Sequence, residues 1–392
     1  MGPTSQTGQT GQTGPTGPIR LRWLAIALLI ASAAHADVVQ TVQGRLEGEV
    51  AFADGGVQVA GKPAAWADVL FVICAGDTRS IRPPQALRMA SGELWLVHVS
   101  NLTAGKLKTR SSLFGARELD ATLVRSLDLL PDLAPPEPGD RLGALYREKG
   151  EPIPGELLWV DERRLAVDSP LGVMTLPREG LARYLFKAAA KPAPATGAAD
   201  EVSLIDGSVF RGQVKPAKDA LELEHALLGK LTVPRRLVRS VLRRPASAAY
   251  LAETPPAAVK AVPLVANAVP PETLAYPTQG DLPGWPGALV AIRGLRVLPK
   301  CSVTWRVPRV GGARAVLAAT LAPVEGMRGD AKLRILAAGK AVLERDIGPA
   351  AKREAVRLDV APEAELTIDV DFGPSLRFPC GVVIGDPVVI GQ

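Results

Sequence analysis

Histidine and cysteine are scarce in this chain, which has only three of each among its 392 residues. His35 lies in a segment with the features of a removable leader, which leaves His98 and His225. Neither has a second His or Cys at metal-ligand spacing, and we expect His225 to be an ordinary structural residue. The sequence also lacks H-E-x-x-H, G-x-S-x-G, a Walker loop and a Rossmann glycine motif. It therefore predicts no metal site, no cofactor and no enzyme activity.

Aromatic residues and charge clusters are also lacking. Phe, Trp and Tyr make up 4% of the chain, and 46 Lys and Arg are interspersed with 40 Asp and Glu. Nucleic-acid binders usually gather basic residues into a patch, so no nucleic-acid partner is expected. Valine, glycine and proline are plentiful instead, and this composition suits short strands joined by tight turns.

No apolar run reaches the roughly 20 residues needed to cross a bilayer. Arg20 and Arg22 precede a short apolar run, Trp23 to Ile30, and small residues follow up to Ala36. A positive flank, a short apolar segment and an A-x-A end describe a signal peptide. We therefore predict export to the periplasm, cell envelope or extracellular space after cleavage near Ala36, with membrane contact only through this segment. An uncleaved membrane anchor is the alternative.

An internal repeat of 57 residues organises the next 200 residues. Gly150 and Gly155 recur as Gly207 and Gly212, and Leu171-Gly172 recurs as Leu228-Gly229. Weaker copies precede them, so the sequence predicts four related small antiparallel β units: two in 37–135, a third in 139–187 and a fourth in 200–244. Each unit is marginal as an independent core. Neighbouring units should therefore pack together or exchange strands.

The C-terminal part has strong two-residue alternation. A Pro-rich segment, 245–286, is expected to be a linker that leads into a module at 287–392. In this module Cys301, Val303 and Trp305 share one face, and Leu366, Ile368 and Val370 share another. Seven or more short strands without a helical period predict a β-sandwich or jelly roll. The whole chain is predicted to be all-β.

A family resemblance rests on these residues. The stretch Ala315 to Ile347, with Gly326, Arg328-Gly-Asp330 and Gly339-Lys340, together with Leu366 to Gly373, resembles the novel putative carbohydrate-binding module (NPCBM/NEW2) family. The resemblance begins at about residue 250. It implies a galactose-binding-like jelly roll, and small β repeats before such a module are similar to exported proteins of planctomycete-type bacteria.

A sugar site needs an exposed aromatic ring and polar groups that hold hydroxyls. Trp285, within Pro283-Gly-Trp-Pro-Gly287, is the candidate, with Tyr276 and Arg377 as neighbours. The alternative is that Trp285 caps the core. Trp305 alternates with apolar residues and is expected in the core.

The three cysteines leave two interpretations open. Cys301 and Cys380 either pair as a disulfide in an oxidising compartment or remain small buried thiols. Cys74 follows Phe71-Val-Ile73 and is expected to be buried.

The sequence thus predicts an exported, non-catalytic protein that binds a glycan or cell-envelope component through its C-terminal module. The alternative is a structural or assembly protein that uses its β modules for contacts with a protein partner. A hydrolase with an unrecognised site is a third possibility.

Overall fold

A computed structural model describes residues 37–74, 85–130, 133, 135–137, 139–187, 199–262, 293–324, 326–375 and 377–392, and the backbone of 275–279. The expected signal peptide, 1–36, lies outside the described residues. Within them the chain forms strands and three short 3-10 turns, Trp66–Asp68, Ala121–Leu123 and Arg235–Leu237, and no α-helix. The all-β prediction is confirmed. No helix in the described part of the chain has the length and apolarity needed to span a membrane.

Four similar groups of strands precede the C-terminal sandwich. Unit 1 contains β1 (Val38–Thr41), β2 (Arg45–Glu47), β3 (Val50–Ala53), β4 (Gly56–Val59), β5 (Lys62–Ala65) and β6 (Val69–Ile73). Unit 2 contains β7 (Gln85–Met89), β8 (Leu94–Thr103), β9 (Lys106–Ser111), β10 (Gly115–Asp120) and β11 (Val124–Asp128). Unit 3 contains β12 (Ala144–Arg147), β13 (Ile153–Pro154), β14 (Glu156–Val160), β15 (Arg164–Ser169), β16 (Gly172–Pro177) and β17 (Leu181–Leu185). Unit 4 contains β18 (Asp200–Leu204), β19 (Val209–Ala217), β20 (Ala220–His225), β21 (Gly229–Pro234) and β22 (Val238–Leu242).

Each unit follows one plan, in which the first and last strands pair and a bent second strand leads into an antiparallel hairpin. The hairpins follow from the alternation of apolar and polar residues. In β20, Leu221 and Leu223 face the core and are buried, whereas Glu224 faces the other way and is exposed. The bend needs glycine because the backbones come close. A Cβ at Gly212 would lie 2.2 Å from the carbonyl oxygen of Glu224.

The units form an array in the order 3–2–4–1, held by two alternating kinds of contact. The last strands pair between units 2 and 3 (β11 with β17) and between units 4 and 1 (β22 with β6). The bent strands β8 and β19 meet between units 2 and 4, where Leu94 pairs with Val209. All of these strands belong to one nineteen-stranded sheet.

The contact between units 2 and 4 is nearly two-fold symmetric. The N–H of Leu96 donates to Ser208 Oγ at 3.0 Å, and the N–H of Arg211 donates to Glu93 Oε1 at 2.6 Å. These are reciprocal bonds between corresponding positions of the two bent strands. The rings of Trp95 and Phe210 stack across this contact with centroids 5.7 Å apart.

In the part of the chain that the structure describes, no other unit packs on the corresponding face of unit 3, and this face cannot repeat the contact. Its bent strand has Pro152 and Pro154 where unit 2 has Leu94 and Leu96, so the donating N–H groups are absent. Prolines commonly protect exposed sheet edges in this way. Leu171 of unit 3 is 92% exposed, whereas the corresponding Phe114 and Leu228 are 6% and 9% exposed.

The C-terminal sandwich contains eleven strands in two sheets. They are β23 (Ala248–Tyr250), β24 (Ala258–Ala261), β25 (Ala275–Gln279), β26 (Arg293–Val297), β27 (Cys301–Arg306), β28 (Ala315–Pro323), β29 (Ala331–Ala337), β30 (Lys340–Ile347), β31 (Glu354–Val360), β32 (Glu365–Phe372) and β33 (Val382–Gly391). One sheet has the order β25-β26-β33-β28-β31, with β23 also paired to β33, and the other has the order β24-β27-β32-β29-β30. The prediction of a jelly-roll sandwich is confirmed. Strands β23, β24 and β25 lie within 245–286, the segment expected to lead into the module, and they pair with strands of the two sheets.

The sandwich packs directly on units 1 and 4. An apolar cluster joins Phe71 and Ile73 of unit 1 and Leu242 of unit 4 to Val388 and Ile390 of β33. Asp128 and Ser126 occupy the corresponding positions of unit 2, where Asp128 forms buried ion pairs with Arg88 and Arg183. The apolar side chains make the unit 1–unit 4 face suitable for burial against the sandwich, because a buried charged face would be costly to dehydrate.

Candidate functional site

Two loops meet at one end of the sandwich and form what we call the loop site. Residues 324–330 connect β28 to β29, and residues 373–381 connect β32 to β33, so both loops pass from one sheet to the other. Since β28 pairs with β33 and β29 pairs with β32, the two crossings lie side by side. The topology alone therefore brings the loops together.

Backbone hydrogen bonds fix the loops against each other. The N–H of Arg328 donates to the carbonyl of Pro379 at 2.8 Å, and the N–H of Asp330 donates to Ser375 Oγ at 2.9 Å. Gly329 lies between them, and a Cβ there would be 2.0 Å from the carbonyl oxygen of Arg377. A side chain at position 329 would separate the loops, so glycine is required.

Phe378 projects from this scaffold. The residue is 58% exposed, although large apolar residues are often buried in folded proteins. Arg377 precedes it and is exposed, and Arg328 of the facing loop is exposed as well. The loop site thus presents an exposed aromatic residue and two exposed arginines on two loops that are hydrogen-bonded to each other.

The three residues predicted to bind ligand differ in where they lie and in how far the structure describes them. Arg377 lies in the loop site. The backbone of Tyr276 lies at the same end of the sandwich, because Tyr276 pairs with Arg296 and the adjacent Val297 pairs with Val382, where the 373–381 loop enters β33. Trp285 lies outside the described residues. The roles of all three remain predictions.

The sequence analysis missed Phe378. One feature of the sequence could have identified it. Phe378 is an aromatic residue between Arg377 and Pro379, and it follows closely after Gly373-Pro374, where the alternation of β32 ends. Trp305 is buried, as expected, and its Nε1 donates to the carbonyl of Thr254 at 3.0 Å. Asp369 faces outward and forms an ion pair with Arg334.

The two histidines lie apart from the loop site. His225 is buried, and its Nδ1 accepts the N–H groups of Leu227 and Leu228, so Nε2 carries the proton donated to Glu93 at 2.8 Å. This is a structural role. Among the residues that the structure describes, no group of three or more His, Cys, Asp or Glu side chains is arranged to hold a metal ion.

The cysteines are free thiols, and all three are buried. Cys301 and Cys380 thus adopt the second of the two expected arrangements in this structure. Burial raises the pKa of Cys74 to about 12 and that of Cys301 to about 11, and it also raises the pKa of Cys380. Cys380 closes the 373–381 loop as a small buried residue.

Comparisons with known proteins show likeness only at the level of three-dimensional structure. No protein-family model and no curated protein matches the chain. The NPCBM/NEW2 resemblance therefore remains a prediction from the sequence.

Solved structures similar to parts of this chain are CBM51 carbohydrate-binding modules. One is the CBM51 of a Clostridium perfringens GH95 protein in complex with methyl-galactose, at 11% identity and a TM-score of 0.29, covering 36% of this chain and 99% of that chain. Another is the tandem CBM51 modules of a family 98 glycoside hydrolase from Streptococcus pneumoniae, at 8% identity and a TM-score of 0.29, covering 80% of this chain and 89% of that one.

A third match is CBM51-2 with GlcNAc and the INT domains of Clostridium perfringens ZmpB, at 6% identity and a TM-score of 0.29. It covers 49% of this chain, which spans only 38% of that protein's length. Likeness at this level carries no inference about function, which has to be argued from the loop site itself.

Proposed function

We propose that this protein binds a carbohydrate at the loop site of its C-terminal sandwich. The exposed ring of Phe378 is the observation that carries the proposal. Sugars present an apolar face of C–H groups that packs on an aromatic ring, and their hydroxyls are held by polar groups around it. Arg328 and Arg377, which are exposed on the same two loops, supply hydrogen-bond donors.

The fixed backbone supports a binding role. The hydrogen bonds from Arg328 and Asp330 hold both loops in place before any ligand arrives. Preorganisation reduces the entropy that binding would otherwise cost. Tyr276 is the second residue of β25 and lies at the same end of the sandwich, and Trp285 follows it in the chain, so we include both as additional contacts to the sugar.

Export and the lack of catalysis belong to the same proposal. We propose that residues 1–36 direct the chain out of the cytoplasm, that the mature protein acts in the cell envelope or outside the cell, and that it has no enzyme activity of its own. The four β units would then hold the sandwich in place. We also propose that residues 250–392 correspond to an NPCBM-like module.

A glycan array tests the proposal. The full mature chain should bind a defined set of glycans, and Phe378→Ala should reduce binding about five- to twenty-fold, which corresponds to the ~1 to 2 kcal/mol that an aromatic contact supplies. Val342→Ala is the matched control, because Val342 is also an exposed apolar residue of the sandwich but lies on β30. Equal binding by Phe378→Ala and wild type would exclude the loop site.

A second candidate function is assembly with a protein partner. Leu171 and Val173 of unit 3 favour it, because they are 92% and 64% exposed on one hairpin. Cross-linking of the intact protein in its native envelope would test this function. Loss of one specific adduct in Leu171→Glu, with glycan binding unchanged, would support it.

A further inference from the structure

A groove of about 720 Å³ lies on unit 2, far along the chain from the loop site. It is lined by strands β8, β9 and β10 and by Glu162 from a turn of unit 3. Its volume falls within the range of clefts that hold small ligands. Neither the fold of the unit nor the proposed function of the sandwich explains its side chains.

Basic side chains dominate the floor of the groove. Lys108, Arg110 and Arg117 are all exposed there, and His98 pairs with Arg110 across the adjacent strand. On its other side Arg110 pairs with Ala116. In the described part of the chain, neither Lys108 nor Arg110 takes part in an ion pair. Lys108 pairs in register with Glu118, whereas Arg110 has no carboxylate opposite it in β8 or β10.

Unit 4 provides an internal comparison. Lys108 and Arg110 are the third and fifth residues of β9, and the third and fifth residues of the corresponding strand β20 are Glu222 and Glu224. Unit 4 balances these carboxylates with Lys230, which forms an ion pair with Glu222 at 2.9 Å and pairs in register with Glu224. The hairpin therefore folds with either acidic or basic residues at these two positions, and folding of unit 2 does not require Lys108 and Arg110.

A β-bulge shapes the groove. The pairing of β8 with β9 shifts between Val99 and Asn101, which leaves Ser100 as the extra residue on the rim. The hydroxyl of Ser100 lies 3.3 Å from the carbonyl of Lys108. Bulges often redirect side chains at binding sites, and this one places a hydroxyl beside the two basic residues.

The remaining lining residues indicate the class of ligand. Glu118 and Glu162 are carboxylates that can accept hydrogen bonds from hydroxyl groups. No Phe, Tyr or Trp is among the described residues that line the groove, so it lacks the large aromatic platforms on which single-strand binders stack successive nucleobases. A sugar that carries a carboxylate matches both sets of groups.

We propose that the groove of unit 2 binds an acidic polysaccharide through its uronate groups, with Lys108, Arg110 and His98 facing the carboxylate and Glu118 and Glu162 facing hydroxyls. This second site is independent of the sugar site proposed at Phe378.

Titration calorimetry of the full chain with an oligogalacturonate tests the proposal. The double variant Lys108→Glu/Arg110→Glu should weaken binding at least tenfold, and wild-type affinity should fall as salt is added because the contacts are exposed. The variant introduces the residue type that unit 4 already has at these positions, so it should fold. Lys352→Glu/Arg353→Glu is the control, because it changes the net charge equally at exposed residues of the sandwich.

Retained binding in the control, loss in the groove variant and no binding of the methyl-esterified oligomer would support the site. Failure of wild type to bind the oligogalacturonate, an equal loss in both variants, or tighter binding of single-stranded DNA would overturn it. Phe378→Ala separates the two proposals, because it should leave oligogalacturonate binding unchanged.

Discussion

Arg293 of the sandwich donates through Nη2 to Glu201 Oε1 of unit 4 at 2.6 Å, and both side chains are almost fully buried. Glu201 also lies 3.3 Å from Arg211. Glu253 extends the network by pairing with Arg244 at 2.6 Å and Arg293 at 3.2 Å. The repeat units and the sandwich are therefore joined by buried charge as well as by the apolar cluster around Phe71.

Removing one partner of this network should destabilise the whole protein. Glu201→Gln removes the charge of one of the two carboxylates that pair with the buried Arg293 guanidinium, and breaking a buried ion pair costs up to about 3 to 5 kcal/mol. Urea unfolding would measure the change. Glu354→Gln, which removes an exposed partner of Arg345, should cost less than about 1 kcal/mol. Equal effects of the two substitutions would contradict a stabilising role for the buried network.

The glycine bend of the repeat can be tested in unit 4. Gly212→Ala would bring a methyl group against the carbonyl of Glu224 and should lower the free energy of unfolding by about 1 to 3 kcal/mol, the usual cost of overpacking. Gly139→Ala is the control, because a Cβ at position 139 meets no atom within 4 Å. Unfolding midpoints that do not distinguish the two variants would show that the bent strand tolerates a side chain.

The thiols should be unreactive in the folded protein. Burial raises the pKa of Cys74 to about 12 and that of Cys301 to about 11, so both remain protonated at pH 8, and the thiolate is the reactive form. An aromatic disulfide reagent should label no cysteine in the native state and three after unfolding in urea. A single labelled thiol in urea would instead show that Cys301 and Cys380 pair in the isolated protein.

The prolines of unit 3 should limit self-association. Pro152→Leu/Pro154→Leu restores the two N–H groups that unit 2 has at Leu94 and Leu96, so the exposed face could pair with its counterpart in a second copy. Light scattering should then detect a dimer that wild type does not form at the same concentration. Adding Leu171→Glu should dissociate it. An unchanged mass for the proline variant would mean that another feature ends the array.

The sequence predicted the sheets better than their connections. The strict alternation in β32 and the recurring glycines were sufficient to predict strands and tight bends, because both depend on residues that are close together in the sequence. The alternating contacts between units were not predictable, since pairing of Leu94 with Val209 depends on residues 115 positions apart. The short strands within 245–286 were not predicted individually, because prolines interrupt the alternation there and each strand depends on pairing with β33, β27 or β26.

The site was predicted less well for a related reason. Arg377 was identified as a polar neighbour of an aromatic residue, but Phe378 was overlooked, since exposure of a single ring depends on which loops meet. The pairing of β28 with β33 and of β29 with β32 brings the 324–330 loop beside Phe378. Such pairings join residues far apart in the chain, so local patterns do not reveal them.

A crystal structure of the full mature chain with the glycan that binds best on the array tests the central claim most directly. The proposed function predicts a sugar ring packed on Phe378, between the 324–330 and 373–381 loops, with its hydroxyls near Arg328 and Arg377. A glycan bound elsewhere on the sandwich, with the Phe378 ring still exposed to solvent, would contradict it.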